Sequence, residues 1–357
     1  MSRRRVVTVV GAGLTVALLW WTLRDVSASE VLAEISTAEP LLLLAAVAVA
    51  TFSFVLRALR WHVLLLPRFD QTSFGSRFGA TCVGFMANNL LPARIGEFAR
   101  AATLTRAERV PLAASLASLV VERIFDGVIL AVMLFGTMVL PGFPGISESG
   151  AAVQRTATVA AALFGAGMLV LWAMVHQPGP ALKAFEHSVG RLLPTHLTDR
   201  AISALASFIE GLGALHRPGV FLAALGWTVA VWICLASSLW LGLLAFGIDG
   251  PGLAGSMFLQ AVIAFAVALP STPGFFGLFE AAARVGLTVY GVSATQIVSF
   301  ATSYHILTFV PVTILGLVYV RSFGLSWSDL RRGDELVEAS ISPGGQESEA
   351  NPGDPDR

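Results

Sequence analysis

The chain has 357 residues, of which 55% are hydrophobic and 13% are charged, with 23 basic and 23 acidic side chains. Soluble domains average about 45–50% apolar and about 25% charged residues. This composition excludes a disordered protein, a nucleic-acid-binding protein that relies on bulk positive charge, and an ordinary cytosolic enzyme. It leaves an integral membrane protein, for which we expect no nucleic-acid partner.

The sequence carries no metal-binding or nucleotide-binding motif. Cys82 and Cys234 both lie in apolar stretches, and the six histidines form no i,i+4 pair. Neither a CxxC spacing nor a G-x-x-x-x-G-K-S/T phosphate-binding loop occurs. The sequence therefore predicts no metal and no cofactor.

Six stretches are apolar and long enough to cross a bilayer, which takes about 20 residues. The second is expected to continue as helix past Arg57 and Arg60 to Leu66, and the first is read as a retained span rather than a cleaved signal peptide. The six predicted spans are Val6–Leu23, Leu41–Leu56, Val110–Leu140, Ala151–Val175, Val220–Phe246 and Gln296–Val320.

Two further apolar stretches are shorter and end in proline and glycine. Phe78–Leu91 stops at Pro92, and Leu253–Leu269 stops at Pro270. Such segments are typical of re-entrant helical hairpins, because proline cannot continue a helix. Unpaired backbone at membrane depth is tolerated only where protein buries it or where it lines a wet cavity. Each break therefore indicates a candidate site.

Arginine distribution predicts the topology. Basic residues concentrate in the loops on one side of this arrangement, which the positive-inside rule assigns to the cytoplasm. We expect a multi-pass protein of the cytoplasmic membrane with both termini inside. Residues 326–357 are polar and are predicted to form a disordered cytoplasmic tail. Within Pro180–Pro218, helical apolar spacing predicts a helix on the bilayer surface or against the loops.

The two breaks resemble each other. Both read Leu-Pro-x-x-x-Gly with a glutamate following, and each lies between the second and third spans of its half. Since three spans per half is an odd number, the halves would be inverted relative to each other, as in many transporters. We therefore expect an all-α membrane domain over 1–325, with halves at about 1–145 and 150–323. The alternative is chance recurrence of proline and glycine.

The first break concentrates polar side chains at the end of an apolar segment. They are Asn88, Asn89, Arg94, Glu97 and Arg100. A helix that starts after Pro92 would direct its positive N-terminus, together with Arg94, at an anion such as a lipid phosphate. In the structural alternative, Arg94 pairs with Glu97 and the asparagines cap the hairpin.

Three charged residues lie inside the third predicted span. Glu122 and Asp126 share a helix face, and Arg123 lies about 100° away. Ionisable residues at membrane depth are a functional hypothesis by default. They could pair with Arg94 or Arg100, or carry protons; the alternative is a purely structural ion-pair network.

The second break offers Ser271, Thr272 and Glu280, with small glycines that allow a ligand to approach closely. The alternative is a helix N-terminus capped by serine or threonine, with an ordinary glutamate that can pair with Arg284. His305 lies in the sixth span, where a lone histidine is more often a hydrogen-bonded core residue than a proton carrier.

The stretch from Arg57 to Trp61 is typical of an interfacial anchor. The alternative is a role in drawing lipid headgroups inward.

These motifs together resemble one family. The chain carries, in order, Arg57-x-x-Arg-Trp, Asn88-Asn-Leu-Leu-Pro-x-Arg-x-Gly-Glu, Glu122-Arg-x-x-Asp and Pro270-x-x-Pro-Gly-x-x-Gly-x-x-Glu. The set resembles the transmembrane, flippase-like domain of lysylphosphatidylglycerol synthases over about Arg3 to Phe323. The full-length synthases have a further cytoplasmic domain, so the resemblance implies a stand-alone member that lacks the synthase part.

The resemblance implies that the protein flips a phospholipid or related anionic lipid between leaflets. Its arginine forks would hold the phosphate, while carboxylates meet a cationic headgroup. On this basis we expect a lipid substrate and no enzymatic activity. The alternatives are an accessory membrane subunit of a lipid- or glycan-modifying envelope enzyme, and an intramembrane lipid-headgroup transferase. A homo-oligomer or an envelope enzyme could be its protein partner.

Overall fold

The computed structural model describes residues 13, 15–66, 68–91, 95–144, 177–189, 202, 217–268 and 273–326. All regular secondary structure in these ranges is helical, so the protein is all-α in its described part. Residues 15–23 are helical, and a single turn of 3-10 helix covers Pro273–Phe275. The α-helices are α1 (Ala28–Thr37), α2 (Pro40–Leu65), α3 (Phe74–Leu90), α4 (Gly96–Glu108), α5 (Leu112–Met138), α6 (Pro178–Val189), α7 (Pro218–Ala245), α8 (Gly252–Val267), α9 (Leu278–Thr288) and α10 (Ala294–Ser322).

Three helices, α2, α7 and α10, are long and apolar enough to cross a membrane. They coincide with the second, fifth and sixth predicted spans. The third predicted span is α5, whose 27 residues carry Glu122, Arg123 and Asp126 near the middle. Of the remaining predicted segments, 151–175, the first part of 6–23, most of 180–218 and 327–357 lie outside the described residues. The count of six spans therefore stays a prediction.

One helix was not predicted from the sequence. The stretch assigned to the first outer loop forms α1, which the Ser27 side chain caps by accepting a hydrogen bond from the Glu30 N–H at 3.3 Å. Serine followed three residues later by glutamate is a recognised start signal for a helix. The signal was present in the sequence and its helix was missed.

Both predicted helix breaks are present, at the positions that proline and glycine indicated. Helix α3 ends at Leu90, and α4 begins at Gly96, whose N–H donates to the Asn88 side chain at 2.8 Å. Helix α8 ends at Val267 and α9 begins at Leu278. Re-entry of each helix pair to the side it came from stays a prediction.

Helices of the two predicted halves pack against each other in a repeating pattern. Helix α2 packs along α7, and α3 of the first half packs along α10 of the second, just as α8 packs on α5. Within each half the two short helices pack together, and the second of them contacts the long helix that follows. Two repeated halves would produce this pattern of contacts, and their inverted orientation stays a prediction.

The N-terminal helical segment is tied to the second half through Arg284 of α9. Its guanidinium donates to the carbonyls of Trp21 and Thr22, at 2.8 and 2.6 Å, and to the Asp25 carboxylate at 2.7 Å. The hydrogen bond from Arg284 lowers the pKa of Asp25 from its ordinary value. Residues 21–25 are therefore fixed against α9.

Helices α3 and α10 approach closely at Gly316. A Cβ atom there would lie 2.7 Å from the Cys82 carbonyl oxygen and would also overlap the Met86 side chain. Small residues at helix crossings let backbones approach in membrane proteins. The contact between the halves therefore depends on the absence of a side chain at this position.

We predict that Gly316→Ala lowers stability by about 1–3 kcal/mol, because an added methyl group overpacks a close contact. The matched control is Gly226→Ala on the exposed face of α7, where nothing lies within 4 Å of the added atom. That variant should gain about 0.5–1 kcal/mol from helix propensity. Thermal unfolding of the purified protein in detergent measures both, and equal shifts in the two variants would contradict the packing.

Candidate functional site

A buried cluster of charged side chains forms where α2, α4, α5 and α7 meet. Helix α2 contributes Arg57 and Arg60 at i,i+3, and α5 contributes Glu122 and Asp126 at i,i+4, so each pair projects from one helix face. Arg100 of α4 is also buried. Because burying unpaired charges is costly, these side chains must satisfy one another or a ligand.

Glu122 is completely buried, and one of its carboxylate oxygens meets three guanidinium groups. Its Oε1 lies 2.8 Å from Arg100 Nη1 and 2.9 Å from both Arg60 Nη2 and Arg123 Nη2. Of the two arginine pairings suggested from the sequence, the one with Arg100 is formed. The other oxygen, Oε2, has no hydrogen-bond partner among the described residues.

Asp126 binds the other side of the Arg60 guanidinium. Arg60 Nη1 lies 2.5 Å from Asp126 Oδ1, which also accepts a hydrogen bond from Trp232 Nε1 of α7 at 2.9 Å. Arg60 Nη1 additionally donates to Thr228 Oγ1 at 3.3 Å. Arg60 thus joins both carboxylates of α5 to α2 and reaches α7.

Arg57 is the cluster member without such a pairing. It is 5% exposed, and its guanidinium carbon lies 5.0 Å from the Phe85 ring centroid and 5.6 Å from that of Trp232. Its Nε and Nη1 atoms have no hydrogen-bond partner within the described part of the chain. Aromatic faces stabilise a buried cation, but they leave its N–H groups free to bind an anion.

Arg100 resembles Arg57 in that an aromatic ring contacts its guanidinium. Its guanidinium stacks on the Trp61 ring at 4.0 Å from the centroid, and its Nε and Nη2 atoms also find no partner in the described ranges. Trp61 is held in place by donating to Ser118 Oγ at 2.8 Å. The cluster therefore contains buried N–H donors on both Arg57 and Arg100 that no described protein group accepts from.

Guanidinium groups outnumber carboxylates in the described part of this cluster. Glu122 and Asp126 face four arginines, and Glu97 is close enough to Arg123 to interact electrostatically with it. Even with Glu97 included, the site carries excess positive charge. Arginine forks match the oxygens of phosphate and carboxylate groups, so the site is suited to an anion with several oxygens.

Arg123 connects the buried cluster to its surroundings. Its side chain is 43% exposed, although it lies near the middle of the 27-residue α5. A charge at that depth cannot favourably face hydrocarbon, so it must face water or a polar headgroup. Arg123 therefore lies on the side of the cluster that is accessible from outside the protein.

The structure separates the predicted residues of the first break. Arg100 joins the cluster directly, and Glu97 is half-buried beside it. Asn88 accepts a hydrogen bond from the Gly96 N–H, as in the capping alternative, and Asn89 donates to Thr313 Oγ1 of α10 at 2.9 Å. Arg94 lies outside the described residues.

Glu280 of the second break forms a separate pair with His305 of α10. Glu280 Oε1 lies 2.7 Å from His305 Nδ1, and Glu280 Oε2 accepts a hydrogen bond from the Gly277 N–H at 2.7 Å. The suggested Glu280–Arg284 pair is not formed, because Arg284 binds Asp25 and two backbone carbonyls. Ser271 and Thr272 lie outside the described residues.

The interpretation of Arg57 to Trp61 as an interfacial anchor was wrong. Arg60 and Trp61 are fully buried, and Arg57 nearly so. The sequence held one usable signal, since two arginines at i,i+3 in a long apolar helix need buried partners as much as a carboxylate pair does. Trp232 and Thr228 carried no such signal in an otherwise apolar helix.

Fold and site together define a polytopic helical membrane protein with a buried arginine–carboxylate cluster where α2, α4, α5 and α7 meet. The chain belongs to the family described as Lysylphosphatidylglycerol synthase TM region, which matches residues 8–316. This membership and the three apolar helices give the protein a membrane location. No solved structure gives a significant match to the chain.

A curated relative adds a second comparison. The chain is 29% identical over 306 residues to a protein of Haloferax volcanii named Glycosyltransferase AglD. The match covers 79% of this chain and 49% of the relative, so the chain spans about half the length of that protein. The prediction of no enzymatic activity is corrected by this relative's name, which points to an enzyme-related role. Together the comparisons indicate a membrane role related to lipids or glycans.

We predict stability effects of different size for the two arginines of α2. Arg60→Met removes the group that pairs with both carboxylates and should lower stability by about 3–5 kcal/mol, as for other broken buried ion pairs. Arg57→Met removes a cation with free N–H groups and should change stability by less than about 1 kcal/mol. Thermal unfolding in detergent compares them, and a large equal loss would show that Arg57 is also a structural ion-pair member.

Proposed function

We propose that the protein binds the phosphate of an anionic membrane lipid in the arginine–carboxylate cluster and moves that headgroup between leaflets. The observation that carries the proposal is the set of buried, unpaired N–H donors on Arg57 and Arg100 beside an excess of positive charge. A phosphate diester would accept these hydrogen bonds and neutralise part of the excess.

A purely structural network explains less of this geometry. Such a network gains stability by pairing each charge with an opposite one, and any remaining buried charge costs free energy. Among the described residues, the Nε and Nη1 atoms of Arg57 have no hydrogen-bond partner, and its guanidinium lies against the rings of Phe85 and Trp232 instead. A bound anion supplies the missing partner.

A lipid is favoured over a soluble anion by the position of the cluster. Arg123 is exposed near the middle of α5, so a headgroup can reach the cluster while its acyl chains stay among hydrocarbon. Family membership supports the same substrate class. We further propose that Glu97, half-buried beside Arg123, meets a cationic part of the headgroup where one is present.

The proposal predicts transbilayer movement of labelled lipid in vesicles that contain the purified protein. Fluorescent phosphatidylglycerol should exchange between the leaflet that an external quencher reaches and the leaflet that it does not reach, and this exchange should be faster than in empty vesicles. Phosphatidylcholine should exchange more slowly than phosphatidylglycerol. Arg57→Met and Arg100→Met should each slow the movement about 10- to 100-fold. This factor corresponds to the free energy of one charge-assisted hydrogen bond.

Arg77→Met is the matched control, since Arg77 is also buried but donates to the backbone oxygens of Ala58 and Thr72 outside the cluster. Provided that it folds, it should move lipid as the wild type does. Equal rates in the wild type and in both folded cluster variants would contradict the proposal.

A second candidate is glycosyl or headgroup transfer to a lipid phosphate held in the same cluster. The name of the Haloferax volcanii relative favours it. Mass spectrometry of the lipids recovered from the vesicles separates the two, with and without added sugar donors. A chemically altered lipid supports transfer, whereas an unaltered lipid in the other leaflet supports translocation.

A further inference from the structure

We propose that Glu280 and His305 form a buried proton-binding site in the second half, and that its proton drives the movement of the anionic lipid. Proton binding itself stands on the geometry of this pair alone. Its coupling to lipid movement rests on the proposed function.

The pair is built at the junction of α9 and α10. Glu280 and His305 are 3% and 7% exposed, and Glu280 Oε1 lies 2.7 Å from His305 Nδ1. The imidazole is stacked on the Phe279 ring at a centroid separation of 4.3 Å and lies against the tilted Phe276 ring at 4.8 Å. These rings fix the imidazole so that its Nδ1 faces the carboxylate.

The charge of the pair changes with one proton. A neutral imidazole beside the carboxylate leaves a net negative charge in an apolar setting, whereas an imidazolium beside the carboxylate is neutral overall. An uncompensated buried charge is costly, and a compensated pair much less so. When the pair is closed off from water it therefore favours the bound proton, and when it opens to water it can release that proton.

No other ionisable group is directed at this pair by a hydrogen bond in the described residues. The helices packed against α9 and α10 are the segment 15–23, α1, α2, α3, α7 and α8. Their ionisable groups, and the others on α9 and α10, have partners elsewhere or lie towards helix ends. The groups that contact other residues are Arg284 (with Asp25), Tyr304 (with Ser238), Arg57 (with Phe85 and Trp232), Arg60 (with Asp126 and Glu122), Arg77 (with Ala58 and Thr72), Cys234 (with Val49) and Glu30 (with Thr295). His62 lies near Arg77, and Cys82 is buried. The remaining groups are Glu34, Glu39, Tyr319 and Arg321.

The pair is also attached to the break in the second half. Glu280 Oε2 accepts the Gly277 N–H, and the backbone there adopts positive φ at Gly274, Phe275 and Gly277. Positive φ is uncommon for a residue such as phenylalanine, and strained backbone clusters at elements that switch. A proton that alters how strongly Glu280 is held by His305 therefore acts on the segment between α8 and α9.

The proton step is balanced without any other reactant. A proton from water binds the free imidazole nitrogen of His305, which becomes an imidazolium paired with the Glu280 carboxylate. Release to water on the opposite side of the membrane restores the neutral imidazole. The arginine–carboxylate cluster, with its excess positive charge, binds the lipid anion, and the Glu280–His305 pair binds the proton.

Two measurements test the proposal. The first is a pH titration of the purified protein labelled with nitrogen-15 in histidine, in which the His305 signal is the one lost in His305→Asn. We expect the His305 imidazole to gain and lose a proton within the pH series, and we expect Glu280→Gln to alter that response. Tyr304→Phe is the matched control, because it removes the adjacent buried hydrogen bond to Ser238 without removing an ionisable pair. An imidazole that keeps one protonation state across the whole series overturns the site.

The second measurement imposes a pH gradient on vesicles that contain the protein and labelled anionic lipid. With one proton per lipid, each pH unit should change the distribution of the lipid between leaflets by about tenfold. Glu280→Gln and His305→Asn should bind the lipid but lose this response, and Tyr304→Phe should keep it. A wild type that moves lipid without responding to the gradient overturns the coupling and leaves the proposed function intact. A wild type that moves no anionic lipid overturns the proposed function, while the titration still decides the proton site.

Discussion

The pairing of Arg60 with Glu122 and Asp126 is the interaction on which the rest of the described structure depends. These side chains are fully or almost fully buried, and Arg60 reaches both carboxylates at 2.9 and 2.5 Å. Leaving either ion alone at that depth would cost several kcal/mol, about as much as a domain's whole stability margin. Helices α2 and α5 must therefore stay in register with each other. Because Asp126 also accepts from Trp232, α7 is held in the same register.

The same constraint explains why the neighbouring arginines are available to a ligand. Within the described residues, Glu122 and Asp126 form their ion pairs with Arg60, Arg100 and Arg123. Arg57 takes part in none of these pairs. Stacking on Phe85 and Trp232 keeps Arg57 in place without using its N–H groups. A site of this kind is preorganised, since its cations are already buried and oriented before an anion arrives. A fixed set of donors of this kind loses little conformational freedom on binding.

Local sequence signals predicted the outline of the fold and only part of the site. Pro92 and Pro270 predicted both helix breaks, because proline and glycine act on the backbone regardless of what lies around them. The role of Arg60 was not predictable in the same way. An arginine at the end of an apolar helix has the same local pattern whether it anchors at the interface or reaches a carboxylate 66 residues away. The Glu280–His305 pair likewise joins residues 25 positions apart on different helices, and only tertiary packing brings them together.

The central claim is that a lipid phosphate completes the cluster around Arg57 and Arg100. Electron cryo-microscopy of the protein in lipid nanodiscs containing phosphatidylglycerol tests it most directly. The account predicts density for a phosphate within hydrogen-bond distance of the Nε or Nη atoms of both arginines, with acyl-chain density leaving past Arg123. A cluster that holds no headgroup, with Arg57 and Arg100 paired only to protein groups or water in the same membrane, would contradict it.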